Sequence, residues 1–183
     1  MTHTMKIWGR LSSINVRKVV CGQRNPNGLI PTLQDGDLTL WESNTIVRYL
    51  ATRYPASGLL PADMTRRFIA EQWMDWQQST INRTGFDAFI QLIRTAPEER
   101  QAALIEASVA RTTPLLDLLE RHLAQSPFLA SDRFSMADIP AGCEMHRWFG
   151  LPLAHPPRPH LQSWFAALQA RAASRGVLDQ PLV

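Results

Sequence analysis

The sequence predicts a small α/β unit followed by an all-helical one, and three observations carry that reading. Residues 25–50 follow the order turn, strand, Asp-Gly hairpin, strand, helix. Met5-Lys-Ile-Trp8 supplies another short apolar strand ahead of them. After Tyr54-Pro-Ala-Ser-Gly58 the apolar residues recur at helical rather than strand spacing. The expected domains are residues 1–57 and 58–183, with residues 58–63 (Gly58-Leu-Leu-Pro-Ala-Asp63) as the linker.

Each element of the first unit has a local cause. Asn25-Pro26-Asn27-Gly28 is turn material, because proline fixes φ while Asn and Gly tolerate left-handed backbone. Pro31 cannot donate to a sheet ladder and drives Ile30 into an extended conformation, so it opens a strand or marks an edge, and a minority of such bonds are cis. Gln34-Asp35-Gly36-Asp37 is a hairpin signal, and Leu38, Leu40 and Trp41 complete the second strand. A helix then begins at Glu42-Ser43, with Ile46, Val47 and Leu50 on one face. Glu42 and Ser43 read first as first-turn and cap residues, and compatibly as an anion site made of a hydroxyl and free helix N–H groups.

The segments Asn25-Pro-Asn-Gly-Leu-Ile-Pro-Thr-Leu33 and Asp35-Gly-Asp-Leu-Thr-Leu-Trp-Glu-Ser-Asn-Thr-Ile-Val-Arg-Tyr-Leu-Ala51 resemble the soluble glutathione transferase family, in a serine-type bacterial form. The resemblance implies a thioredoxin-like first domain and an all-α second domain, with a cis bond at Ile30–Pro31. It implies that the Ile30 backbone pairs with the cysteinyl part of glutathione. Glu42 would take the γ-glutamyl ammonium, and Ser43 with the helix N-terminus its carboxylate. Ser12 and Ser13 lie where the first strand passes into a helix, which in an arbitrary chain means only capping. In this family such a hydroxyl stabilises the glutathione thiolate. A thiol of ordinary pKa near 8.5 is mostly protonated at neutral pH, and hydrogen bonds to the thiolate lower that value. Ser12 is the preferred residue, Ser13 the alternative, and Asn15 a second donor.

The chain departs from the family's pattern in one place. The family sets strand, helix, strand and helix before the cis proline, whereas here Val20-Cys21-Gly-Gln-Arg24 runs directly into Asn25-Pro26. A βαβ unit takes about 30 residues or more, so the interval around residues 21–25 has no room for a second strand and helix. Either the unit is lost from this protein, or the letters join the flanks of an unobserved segment. Its loss would remove family contacts to glutathione.

Composition limits the remaining choices. The net charge is +3 with basic residues scattered, which does not indicate nucleic acid. No apolar run is long enough to cross a membrane and no secretory pattern opens the chain, so a cytoplasmic location is expected. Two cysteines, Cys21 and Cys143, give neither a disulfide framework nor zinc spacing, and the histidines show no metal spacing with carboxylates.

In the helical half, residues 66–81 place Phe68, Ile69, Trp73 and Trp76 at helical spacing. Such a stripe ordinarily forms core. In the family the corresponding helix faces the cleft and helps build the dimer, so Trp73 and Trp76 are also candidates for an electrophile pocket. Residues 98–123 read as one long helix kinked at Pro114. Ser135-Met-Ala-Asp138 is a capping box, and Pro159 to Leu168 another amphipathic helix.

The resemblance implies a cytoplasmic homodimeric transferase, with a role in detoxification, that adds the glutathione thiolate to a small electrophile and uses no metal. Two alternatives stay open: a noncatalytic ligand-binding or interaction protein on the same fold, and a glutathione-dependent disulfide reductase or isomerase sharing the first site.

Overall fold

The computed structural model describes residues 5–8 and 25–182. The chain divides into two compact units, residues 1–60 and 61–183.

The first unit holds a three-stranded sheet among the described residues, ordered β1 (Lys6–Trp8), β2 (Thr32–Asp35), β3 (Leu38–Trp41). Both pairings are antiparallel, with Leu33 opposite both Ile7 and Leu40. Thr32 and Leu33 lie on opposite faces of β2 and are both fully buried, so the strand is covered on both sides there. The hairpin turn is Gly36-Asp37 rather than Asp35-Gly36. Asp35 still pairs with Leu38, and Gly36 takes the first central position at φ 60°.

Helix α1 (Ser43–Arg53) follows, with Ile46 and Ala51 buried. Glu42 stands just ahead of the helix rather than inside it. Near the far end of α1, the Tyr49 hydroxyl donates to Asp35 Oδ2 at 2.5 Å, and Arg53 Nε lies 3.8 Å from the same oxygen. That bond to a carboxylate, aided by desolvation, raises the Tyr49 phenol above its ordinary pKa. The contact fastens the helix to the hairpin.

The second unit opens with α2 (Met64–Trp76), whose N-cap Asp63 accepts from the Arg66 N–H at 2.9 Å. The helix then loosens into a π turn at Gln77–Ile81, passes through the short α3 (Asn82–Thr84) and α4 (Phe86–Phe89), and ends in a second π turn at Ile90–Arg94. Each π turn carries a buried glutamine bonded outside its own turn: Gln77 Nε2 to Glu144 Oε2, and Gln91 Oε1 to the Gln101 N–H. Arg100 donates to the Leu92 and Thr95 carbonyls, supplying partners at the helix's open end.

The long helix begins later than the sequence predicts. Helix α5 spans Ala102–Leu123, because Pro97–Glu99 forms a 3₁₀ turn and Arg100 is extended. Pro114 lies inside it, and the neighbouring Thr113 hydroxyl donates to the Val109 carbonyl one turn back. Helices α6 (Asp138–Phe149) and α7 (Pro159–Gln169) complete the unit. Leu116, Leu119, Met136, Met145, Leu161 and Leu168 are among its fully buried side chains. Helices α6 and α7 approach closely at Gly142, where an added Cβ would lie 2.7 Å from Leu168 Cδ1.

Buried polar groups fix how these helices meet. Asp138, 0% exposed, accepts from the Leu129 N–H (3.0 Å), the Ser135 N–H (2.9 Å) and the Trp164 indole (2.9 Å). The capping box therefore forms in its backward half. The Ser135 hydroxyl accepts from Ala137 N–H instead of Asp138 N–H. Glu120 on α5 caps α7 by accepting from the His160 and Leu161 N–H groups, and buried Arg158 pairs with Asp117 at 2.8 Å.

Glu144 is the other buried acid. Arg147 donates to its Oε1 at 2.6 Å and to both oxygens of Asn82 at 3.0 Å. Burial pushes the Glu144 carboxyl above the ordinary carboxylate range, and Arg147 opposes this without cancelling it.

Two predictions follow from these groups. Asp138→Ala leaves three buried N–H donors without an acceptor and should cost about 3 kcal/mol or more in urea unfolding. Because Glu144 binds its proton more readily folded than unfolded, its ionisation erodes stability as pH rises through its folded-state pKa. Glu144→Gln should therefore gain on the wild type between about pH 5 and about pH 8 in the same assay, and a constant difference would contradict this.

Candidate functional site

The sheet register gathers the site. Thr32 is the terminal partner of both Trp8 and Trp41. The chain therefore leaves β1, enters β2 and leaves β3 at one end of the sheet. Ile30–Pro31 and Glu42–Ser43 stand side by side there, one step beyond the last paired residues. The Ile30–Pro31 bond is cis, as the resemblance implies. Leu29 and Ile30 are 63% and 37% exposed. Among the described residues no hydrogen bond engages the Ile30 N–H or carbonyl.

Glu42 is the one non-glycine residue at positive φ among those described, at φ 69° and ψ 116°. Its carbonyl accepts the first helical bond, from the Ile46 N–H at 3.0 Å. Its side chain is exposed and makes no cap hydrogen bond. The first turn of α1 thus presents N–H groups that have no partner within the helix, beside the exposed Ser43 hydroxyl and the Glu42 carboxylate. A helix N-terminus favours an anion, and a free carboxylate beside it favours a cation. Together they fit the ammonium and carboxylate of one amino-acid end. The backbone of Ile30, at a bend just before Pro31, fits the peptide that continues from it.

Ser12, Ser13, Asn15 and Cys21 lie outside the described residues. Trp8, the last residue of β1, pairs with Thr32 at the site's end of the sheet. Trp73 and Trp76 belong to the helical unit and are only half-buried. Their rings meet edge to face at 5.1 Å, and Trp73 lies 4.8 Å from the His122 ring. The buried stripe of this segment is Ala70, Met74, Gln77 and Ile81, so the expected tryptophan core is corrected: the two indoles flank it. Phe68 and Phe86 are exposed. Among the described residues no group of three or more His, Cys, Asp or Glu is placed to hold a metal ion, and no helix is long and apolar enough to cross a membrane.

Sequence reasoning misses two features. The backbone at Glu42 carries no residue-type signal, since glutamate does not advertise positive φ. Asn25 reads only as turn material, yet it is 3% exposed and its side chain bonds across the loop that leads to Ile30.

Comparison with known proteins agrees with this geometry. Residues 22–52 match the glutathione S-transferase N-terminal domain and residues 83–172 the C-terminal domain. The chain is 37% identical to glutathione S-transferase GstB of Escherichia coli over 204 aligned positions, covering 96% of this chain and 98% of GstB. It is 34% identical to glutathione S-transferase 3 of Zea mays, covering 81% of this chain and 70% of that one. The glutathione-bound crystal structure of a theta class glutathione S-transferase from Xanthomonas axonopodis pv. citri superposes with TM-score 0.89 at 38% identity, covering all of both chains. Human glutathione S-transferase T1-1 superposes with TM-score 0.75 at 28% identity, over 82% of this chain and 66% of the human one.

The GstB alignment also shows a difference in length. Since 96% of 183 residues fill about 176 of the 204 aligned positions, about 28 positions of GstB have no counterpart here. That deficit has the size of the strand and helix for which the sequence has no room. The chain belongs to the glutathione S-transferase family.

Proposed function

We propose that the protein conjugates glutathione to a small electrophile, holding the tripeptide at the end of the sheet where Ile30–Pro31 and Glu42–Ser43 meet. The observation that carries this reading is the paired site at the start of α1: an exposed carboxylate and a helix terminus whose N-cap side chain makes no cap hydrogen bond, next to the Ile30 backbone, which has no hydrogen-bond partner among the described residues. In this reading Glu42 takes the γ-glutamyl ammonium, and Ser43 with the α1 N–H groups its carboxylate. Ile30 pairs with the cysteinyl peptide. Ser12, with Ser13 as the alternative and Asn15 as a second donor, hydrogen-bonds the thiolate and lowers its pKa. The sulfur lone pair then forms the carbon–sulfur bond, and the leaving group departs with its electron pair. Trp73 and Trp76, half-buried and apolar, are the candidate electrophile contacts. A cytoplasmic homodimer with a role in detoxification belongs to the same reading.

A second reading, binding without conjugation, is favoured by the deficit of about 28 positions against GstB. Calorimetry with glutathione and turnover with 1-chloro-2,4-dinitrobenzene and other electrophiles separate the two. Binding with no turnover on any acceptor would decide for the second.

Under the first reading, Ser12→Ala should raise the pH midpoint of kcat/KM and slow turnover at neutral pH by about tenfold or more, with a smaller effect on glutathione affinity. An unchanged rate in Ser12→Ala together with a slowed Ser13→Ala would transfer the role to Ser13. Glu42 separates binding from stability. Glu42→Gly removes the cost of positive φ and should stabilise the protein by about 1 kcal/mol, yet weaken glutathione binding. Glu42→Ala should weaken binding without that gain, as read by urea unfolding and calorimetry.

A further inference from the structure

Between Asn25 and Thr32 the chain has almost nothing to hold it in place by packing. Pro26, Asn27, Leu29 and Ile30 are exposed, and Gly28 and Pro31 are partly so. The buried side chain in this loop is a polar one, Asn25, at 3% exposure. Its amide is used at both ends. Oδ1 accepts from the Asn27 N–H at 2.9 Å, closing an Asx turn, and Nδ2 donates to the Leu29 carbonyl at 2.7 Å. The Asn25 carbonyl accepts from the Gly28 N–H at 2.9 Å, with Gly28 at φ 64°. Thr32 Oγ1 also reaches the Leu29 carbonyl, at the longer distance of 3.5 Å. The loop's shape is thus written largely by one amide, and the residue that it delivers next is Ile30.

We propose that Asn25 is a positioning residue for the tripeptide: it holds the Leu29–Ile30 backbone at the level where Ile30 meets the cysteinyl peptide. This rests on the glutathione reading of the site. Asn25 does not touch the ligand. It acts through the Leu29 carbonyl, and it has no part in the γ-glutamyl subsite at Glu42 and Ser43, which β3 and α1 build on their own. Loss of the amide therefore uncouples the two halves of the site rather than weakening both. An aspartate in its place keeps the acceptor for Asn27 and loses the donor to Leu29, so the second bond can be tested with the turn intact.

The experiment is calorimetry on the full chain with two probes: S-methylglutathione, which spans both subsites, and γ-glutamyl methylamide, which reaches only the first. In Asn25→Ala and Asn25→Asp, the Kd for S-methylglutathione should rise about tenfold, while that for γ-glutamyl methylamide stays within about twofold of wild type. Asn25→Asp keeps the test decisive where Asn25→Ala does not fold. Equal weakening of both probes, or weakening of neither, overturns the proposal while leaving the glutathione reading standing. Wild-type protein that binds neither probe overturns that reading, and the proposal with it.

Discussion

The site depends on the register of β2 against its two neighbours. Thr32 and Leu33 are buried on opposite faces of β2, so a one-residue slip would put a hydroxyl where Leu33 now packs. That constraint places Thr32 opposite both Trp8 and Trp41. Three departures from the sheet then open at one end, and the groups proposed to recognise a peptide with a charged end meet there. Asp35, fastened to Tyr49 near the far end of α1, holds the helix against the hairpin, so that its N-terminus stays at the site.

Local geometry at this end departs from what packing of the fold alone favours. Glu42 sits at φ 69°, where a glycine would be at ease, and it does so at the step that turns the chain from strand into helix. Opposite it, the exposed loop before Pro31 is held by the Asn25 amide rather than by apolar contact. Neither arrangement adds to the core. Both set the position of backbone groups at the end of the sheet where the proposed peptide site lies.

The helical unit reaches its rigidity by a different route. Its apolar stripes are ordinary, but four buried or half-buried charged side chains decide how the helices meet. Asp138 gathers three donors from separate segments, Glu120 caps α7 from α5, Arg158 binds Asp117, and Glu144 joins α6 to the π turn through Gln77 and Arg147. Such groups add little net stability when satisfied and cost much when half-satisfied, so they specify one packing over others. The raised Asp138 and Glu144 carboxyls show the same tension, because burial disfavours the charge that their partners require.

Much of this was legible in the letters. Gly36, Pro31 and the alternation around them fix the hairpin, since glycine admits the positive φ that a tight turn needs and proline fixes φ and withdraws a donor. Ser135 and Asp138 announce a helix start three residues apart, and the shift from strand to helical spacing after residue 58 separates the two units. These features are set within a few residues, and local propensity decides them. The rest required contacts between distant segments. The π turns at Gln77 and Gln91 answer to Glu144 and Gln101, the delayed start of α5 follows from the bonds of Gln91 and Arg100, and the tryptophans flank a stripe that packing selects. The strain at Glu42 and the reach of Asn25 belong with them. The sequence by itself determined which elements form and in what order; tertiary structure decided which polar groups are buried, because burial depends on what another part of the chain brings to meet them.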